Sequence, residues 1–186
     1  MPGPAAVAWE FLQNIEATAG CMPGAKITER VDEGRFRGTV TVKIGPATMS
    51  FRGDVEVSDV DPAGMSLRLL GKGTDSTGTS GASMDLKARI EPAAEGLSTL
   101  VGVSEVSMSG KAAAFGGRMM TSVADQIMQQ FAANFAAQVA ARHAQLTANA
   151  TPATDVAPVA NELNGLALAW AVFKDWLRGL FRRKPA

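Results

Sequence analysis

Hydrophobic and polar residues alternate strictly between residues 35 and 58. One parity is apolar or glycine, whereas the other carries charged or hydroxyl side chains, and Gly45-Pro46 interrupts the run with a turn. A period of two is the spacing of a β-strand with one dry and one wet face, so the region predicts an antiparallel hairpin. Its apolar positions are Phe36, Val40, Val42, Ile44, Ala47, Met49, Phe51, Val55 and Val57.

Four further segments carry the same alternation. They lie near residues 25–31, 65–69, 82–90 and 97–108, separated by connections that contain Gly or Pro. In the last segment, the parity set by Met108 places Leu100 and Val106 inward and leaves Val101 and Val103 outward. The pattern therefore predicts six strands in antiparallel succession.

The period changes from two to four at Phe115. Apolar residues then recur at every fourth position as far as Val139, with a second stripe beside them. This spacing predicts one helix of about thirty residues, roughly 45 Å long. Because a spacing of four drifts around the helix axis, the stripe suits a helix that lies across a curved sheet. A shorter helix is predicted over residues 4–14, before the first strand.

The C-terminal part of the chain has a different composition. Residues 144–162, rich in Ala, Thr and Pro, predict a flexible linker. Residues 163–186 predict an amphipathic helix, but its longest uncharged run is 11 residues, whereas a membrane-spanning helix needs about 20. We expect this helix to lie on a membrane surface, with docking on a protein partner as the alternative. The residues expected at the membrane are Leu166, Trp170, Phe173, Trp176, Leu177, Arg178, Leu180, Phe181, Arg182 and Arg183.

Candidates for catalysis and metal binding are few. The chain has one cysteine, Cys21, and one histidine, His143, so neither a zinc site nor a Ser-His-Asp triad is expected. Asp54 and Glu105 fall on the outward parity, so no inward acid or base is predicted. The net charge of zero gives no indication of nucleic-acid binding. The N-terminus lacks the features of a signal peptide, which predicts a cytoplasmic protein.

Several short motifs follow one another over residues 4–140. They are Cys21-Met22-Pro23-Gly24, the run from Gly38 to Pro46, Phe51-Arg52-Gly53, Gly71-Lys72-Gly73, Gly110-Lys111, Phe115-Gly116 and the run from Phe131 to Phe135. In this order and spacing they resemble the family of carbon monoxide dehydrogenase G subunits. The resemblance implies an α+β helix-grip fold of the START-like and Bet v 1-like type, in which a curved antiparallel sheet wraps a long C-terminal helix. Members of that family have a strand before the first helix; here we expect it to be absent, which would leave a sheet edge unpaired.

The same resemblance implies an apolar cavity between sheet and helix, within a domain over residues 1–143. Three small residues at inward positions, Gly53, Gly102 and Ser104, would leave volume in the interior, and methionines would line it with flexible, polarisable side chains. The predicted lining comprises Met49, Phe51, Met84, Leu86, Met108, Phe115, Met119, Val123 and Ile127.

The predicted function is that of a non-enzymatic carrier with no covalently bound cofactor. The resemblance implies a molybdenum-containing carbon monoxide dehydrogenase, or a related oxidoreductase, as the partner. Since the electrons of such an enzyme must reach the respiratory chain, a quinone such as menaquinone is the favoured ligand. The protein would lie peripherally on the cytoplasmic face of the cell membrane. Two alternatives remain open: a tether or assembly factor without cargo, and an enzyme that acts within its cavity.

Overall fold

The computed structural model describes residues 1–150. In this part of the chain two short helices precede six strands, a 3₁₀ helix and a long helix. The elements are α1 (Ala5–Gln13), α2 (Ile15–Ala19), β1 (Ala25–Arg30), β2 (Arg35–Ile44), β3 (Ala47–Asp61), β4 (Ser66–Asp75), β5 (Ser80–Pro92), β6 (Ser98–Gly110), the 3₁₀ helix (Lys111–Phe115) and α3 (Gly117–Ala150).

The six strands form one antiparallel sheet in the order β1 to β6, so each strand pairs with its neighbours in sequence. The predicted hairpin is confirmed, because β2 and β3 pair from Arg35–Glu56 to Ile44–Ala47 without a register shift. Pairing preserves parity across the sheet. The apolar residues therefore share one face, the inner face, which carries Phe36, Phe51 and Leu67, and most of the charged residues share the outer face.

Ion pairs join neighbouring strands on the outer face. Arg37 contacts Glu29 at 2.6 Å and Asp54 at 3.2 Å, which links β1, β2 and β3. The Arg68 guanidinium donates to both oxygens of Asp85, at 2.8 and 2.5 Å, and these hydrogen bonds lower the pKa of the Asp85 carboxyl. Exposed pairs of this kind each stabilise a protein by about 1 kcal/mol or less, so they contribute little to the stability of this fold.

The predicted helix over residues 4–14 is confirmed as α1, and a second short helix that was not predicted, α2, follows it. Asn14 adopts a non-helical backbone conformation and its side chain accepts a hydrogen bond from the Ala17 N–H, at 3.0 Å. That bond is an N-terminal cap, so a new helix begins at Ile15. Thr18, which is buried, donates to the Phe11 carbonyl at 3.0 Å and ties the second helix back to the first.

The long helix begins and ends later than predicted. Phe115 belongs to the 3₁₀ helix instead of α3, because Gly116 adopts a positive φ of 77° that an α-helix cannot contain. At the other end α3 continues to Ala150. Residues 144–150, expected as the start of the linker, are therefore helical, since alanine has the highest intrinsic helix propensity and neighbours such as Gln145 and Leu146 rank close behind. Residues 151–186, with the rest of the predicted linker and the amphipathic helix, lie outside the described residues.

The buried core lies against α1, α2 and the C-terminal half of α3. Phe135 and Val139 have no exposed surface, and the Phe135 ring lies 4.9 Å from the Phe11 ring, centroid to centroid. The core residues are Ala8, Trp9, Phe11, Leu12, Ile15, Cys21, Phe36, Leu67, Ala88, Ile90, Phe135 and Val139. The first half of α3 contributes none of them, although Ile44, Phe51 and Ala112, at that end of the sheet, are also buried.

No strand precedes α1 within the described residues. Instead, the first three residues run beside the start of β6, with the Gly3 N–H donating to the Gly96 carbonyl at 3.0 Å and a single bridge joining Pro2 to Leu97. Beyond this bridge, β6 pairs only with β5 among the described elements.

Candidate functional site: an apolar groove between sheet and helix

The strand side of the predicted lining lies on the inner face. Met84 pairs with Gly71 and Val106, and Leu86 pairs with Leu69 and Ser104. Phe51 is buried, whereas the other four strand residues of the lining are only half-buried; these are Met49, Met84, Leu86 and Met108. All five residues therefore lie on the face that their parity predicted.

The helix side of the lining lies on α3 and the 3₁₀ helix. Val123, Ile127 and Phe115 are half-buried, and Met119 is 41% exposed. A Cβ built on Gly45 would lie 3.7 Å from the Met119 sulfur, so the first turn of α3 approaches the β2–β3 turn. The expectation that Phe115 lies on the long helix is wrong, because the glycine pair that follows it starts a new element.

Partial exposure on both sides of this space means that sheet and helix do not pack tightly there. Val106 points inward by its register with Met84 and is still 60% exposed, whereas Phe135 and Val139, further along α3, are fully buried. Well-packed interiors leave few voids larger than a water molecule. We call this apolar, accessible space between the inner face and residues 117–130 the groove.

Two small inward residues have different roles in the groove. A Cβ on Gly102 would lie 3.5 Å from the Leu86 side chain, an ordinary contact, so this glycine leaves usable space. A Cβ on Gly53 would lie only 2.0 Å from the Lys72 carbonyl oxygen. Gly53 is therefore required by the close approach of β3 and β4, and the expectation that it simply leaves volume is incomplete.

One inward carboxyl group was missed. Asp54 and Glu105 do lie on the outer face, but Asp75, at the end of β4, is buried beside Ser80. Its oxygens accept hydrogen bonds from the Thr77 hydroxyl at 2.5 Å and the Ser80 N–H at 2.8 Å. The Thr77 bond is the main reason that the pKa of Asp75 lies below its ordinary value. The sequence signal was the run Asp-Ser-Thr-Gly-Thr-Ser, which is typical of a turn that a side-chain carboxylate caps.

The buried thiol is poorly suited to nucleophilic chemistry. Burial raises the pKa of Cys21, and the nearby Arg142 lowers it by a smaller amount. The thiol is therefore protonated at neutral pH, whereas a reactive cysteine requires the thiolate. Asn134 on α3 donates to the Cys21 carbonyl at 3.0 Å, so this residue joins the long helix to the segment before β1.

The described residues contain no cluster of three or more His, Cys, Asp or Glu side chains that could hold a metal ion. Residues 1–150 also contain no helix long and apolar enough to cross a membrane. The ten residues predicted to meet the membrane, from Leu166 to Arg183, lie outside the described residues.

The sequence profile of one family, the carbon monoxide dehydrogenase G subunits (CoxG), matches residues 2–140. The chain belongs to the CoxG family. This match confirms the resemblance seen in the motifs and covers the sheet, the core and most of α3. No curated protein matches the sequence.

Solved structures confirm the fold expected for a CoxG protein. A conserved protein from Geobacillus kaustophilus is 22% identical, with a TM-score of 0.68, over 77% of this chain and 92% of that one. The Zhui aromatase/cyclase from Streptomyces sp. R1128 is 16% identical, with a TM-score of 0.51, over 74% of this chain and 87% of that one. At these identities the likeness establishes the helix-grip architecture, a curved six-stranded antiparallel sheet with a long C-terminal helix.

Proposed function

We propose that this CoxG protein is a non-enzymatic carrier that binds a lipophilic molecule, a quinone such as menaquinone, in the groove. The observation that carries the proposal is the accessibility of the groove. Its side chains are apolar, face a common space and keep part of their surface exposed. Burial of apolar surface stabilises a protein by about 25 cal/mol per Å². An apolar ligand that covers the exposed surface of the groove would provide this stabilisation on binding.

The family supplies the proposed partner. Because the CoxG family is named after carbon monoxide dehydrogenase, we infer that this chain associates with such a molybdenum-containing enzyme or a related oxidoreductase. The bound quinone would accept two electrons and two protons at the enzyme, and the protein would bring the resulting quinol to the membrane. The C-terminal tail, residues 163–186, would hold the protein at the cytoplasmic face of the cell membrane. It would do so through the aromatic and cationic residues between Leu166 and Arg183.

The residues that border the groove favour a carrier over an enzyme. Asp75 is a buried carboxylate on the inner face of the sheet, so it is a candidate for acid–base catalysis. However, its hydrogen bonds come from its own turn, and its lowered pKa keeps it deprotonated at neutral pH. A general acid or base instead needs a pKa near the working pH. Asp75 therefore fits a structural role.

Aspartate substitutions in the groove test the carrier proposal. In the full chain, Met84→Asp and Val123→Asp each place a charge where the quinone would lie, and burying an unpaired charge costs several kcal/mol. We expect the quinone-to-protein ratio, measured by solvent extraction and mass spectrometry, to fall by about tenfold or more. Circular dichroism should show retained secondary structure.

Val103→Asp is the matched control, because Val103 lies on the outer face of β6 and is 69% exposed. Its quinone content should equal that of the wild type. If the wild-type protein purifies without any quinone, or if the groove variants retain it, the carrier proposal fails. A tether or assembly factor would then be the function.

A further inference from the structure

A second depression lies on the outer face of the sheet, opposite the groove, with a volume of about 470 Å³. It extends over β3 to β6, where register aligns two neighbouring rows of side chains. The first row is Arg52, Thr74, Gly81 and Ser109, and the second is Asp54, Lys72, Ser83 and Ser107. Each row thus begins with a charged residue on β3 and ends with a serine on β6.

The two cations in the depression differ from the other arginines of this face. Within the described residues, neither Arg52 nor Lys72 forms an ion pair, and Asp54, the acid at the rim, is held by Arg37 at 3.2 Å. The paired arginines of this face are Arg35 with Glu56, Arg37 with Glu29 and Asp54, Arg68 with Asp59 and Asp85, and Arg89 with Glu91. Lys26, Lys43 and Lys87 on this face also have no ion pair among the described residues. The depression differs from their positions because an unpaired arginine and an unpaired lysine lie there on adjacent strands.

Four of the other residues that line the depression carry hydroxyl groups, which can donate hydrogen bonds; Gly53, Gly73, Ala82 and Met108 complete the lining. The hydroxyls of Thr74, Ser83, Ser107 and Ser109 form no hydrogen bond within the described part of the chain. Thr41 and Ser50, elsewhere on the same face, bond to each other at 3.1 Å. A Cβ on Gly81 would lie 2.8 Å from the Ser109 Oγ, so the glycine keeps the floor of the depression open.

We propose that this depression binds a phosphate group, either on a small soluble molecule or on a lipid headgroup. The Arg52 guanidinium and the Lys72 ammonium lie on β3 and β4, at one side of the depression, and the serine hydroxyls lie on β5 and β6, at the other side. A tetrahedral oxyanion has enough acceptor oxygens for donors on several sides, and hydrogen bonds to a charged group are the strong ones. Because the depression and the groove lie on opposite faces of the sheet, the site does not depend on the proposed carrier function.

Titration of the ¹⁵N-labelled full chain with inorganic phosphate tests the proposal. We expect saturable shifts at the amides of Thr74, Gly81 and Ser83, and Arg52→Gln with Lys72→Gln should weaken binding by about tenfold or more. Lys43→Gln with Lys87→Gln is the control, since it removes the same charge from the outer face without touching the depression. Shifts that rise linearly with phosphate, or equal losses in both double variants, would overturn the proposal.

Two further arms identify the source of the phosphate group. Glycerol 3-phosphate represents soluble phosphate compounds, and vesicles that contain phosphatidic acid represent lipid headgroups. If Arg52→Gln with Lys72→Gln weakens vesicle binding and Lys43→Gln with Lys87→Gln does not, the ligand is a headgroup. If the first pair affects only glycerol 3-phosphate, the ligand is soluble.

Discussion

At the scale of the residue, Asp75 shows how one buried carboxylate organises the end of a hairpin. It accepts hydrogen bonds from Thr77 and from the Ser80 N–H, and the Ser80 hydroxyl in turn accepts one from the Ala112 N–H at 3.1 Å. The chain of bonds connects the β4–β5 turn to the 3₁₀ helix that leads into α3. Asp75 therefore stabilises this end of the sheet.

This role predicts an acid-dependent loss of stability. The folded-state pKa of Asp75 lies below its ordinary value of 3.8, so its contribution is fully present above that pH and is lost as the pH falls through the folded pKa. Asp75→Asn should lower the melting temperature by a few degrees at pH 7 and reduce the steepness of the loss below about pH 4. Thermal unfolding followed by circular dichroism across pH 2–7 measures both effects.

Asp125→Asn provides the matched control, because Asp125 is exposed on α3 and forms no ion pair among the described residues. Its melting curve should follow that of the wild type at each pH. Equal behaviour of the two variants would contradict the structural role of Asp75.

At the scale of the element, α3 has two halves with different degrees of burial. Its C-terminal half packs into the core, where Val139 lies against Gly3 and Phe135 against Phe11. Its N-terminal half borders the groove and keeps its apolar side chains partly exposed. The same helix therefore contributes to stability at one end and to the proposed binding site at the other.

A pair of identical substitutions separates the two halves. Val139→Ala removes fully buried methyl groups and should lower the free energy of unfolding by about 2–3 kcal/mol, the transfer cost plus a cavity. Val123→Ala, on the groove, should lower it by about 1 kcal/mol or less. Urea denaturation of the full-length variants measures the difference, and equal losses would mean that the groove is packed like the core.

At the scale of the whole molecule, the proposed function needs both the groove and the C-terminal tail. Residues 1–142 carry a net charge of −2, and residues 143–186 carry a net charge of +2. A cationic, aromatic-rich end on a weakly acidic domain suits an anionic membrane surface, where each cation contributes about 1 kcal/mol.

Cosedimentation with anionic liposomes tests the tail in the full chain. Trp170→Ala with Phe173→Ala should weaken binding at every ionic strength, because it removes apolar burial. Arg182→Glu with Arg183→Glu should weaken binding mainly at low salt, since salt screens surface charge over about 10 Å at 0.1 M. If neither pair changes the bound fraction, the tail does not anchor the protein.

The alternating pattern predicted much of this fold because side-chain direction in a strand depends only on parity. The six strands, the β2–β3 register and the inward side of Met49, Met84 and Met108 follow from it directly. Residue periodicity also predicted the long helix. It did not predict the break at Gly116 or the extension to Ala150, because these depend on local backbone conformation.

Thus the sequence by itself determined which residues face inward and which family the chain resembles. Only the tertiary structure decided which of the inward residues are packed. Val139 and Val123 belong to the same periodic stripe, yet the first is fully buried and the second lies beside the groove. Periodicity assigns a residue to a face of its helix or strand, whereas its burial depends on whether side chains of other elements pack against that face. Here α1 and α2 cover only one end of the sheet, and the other end keeps an accessible apolar surface.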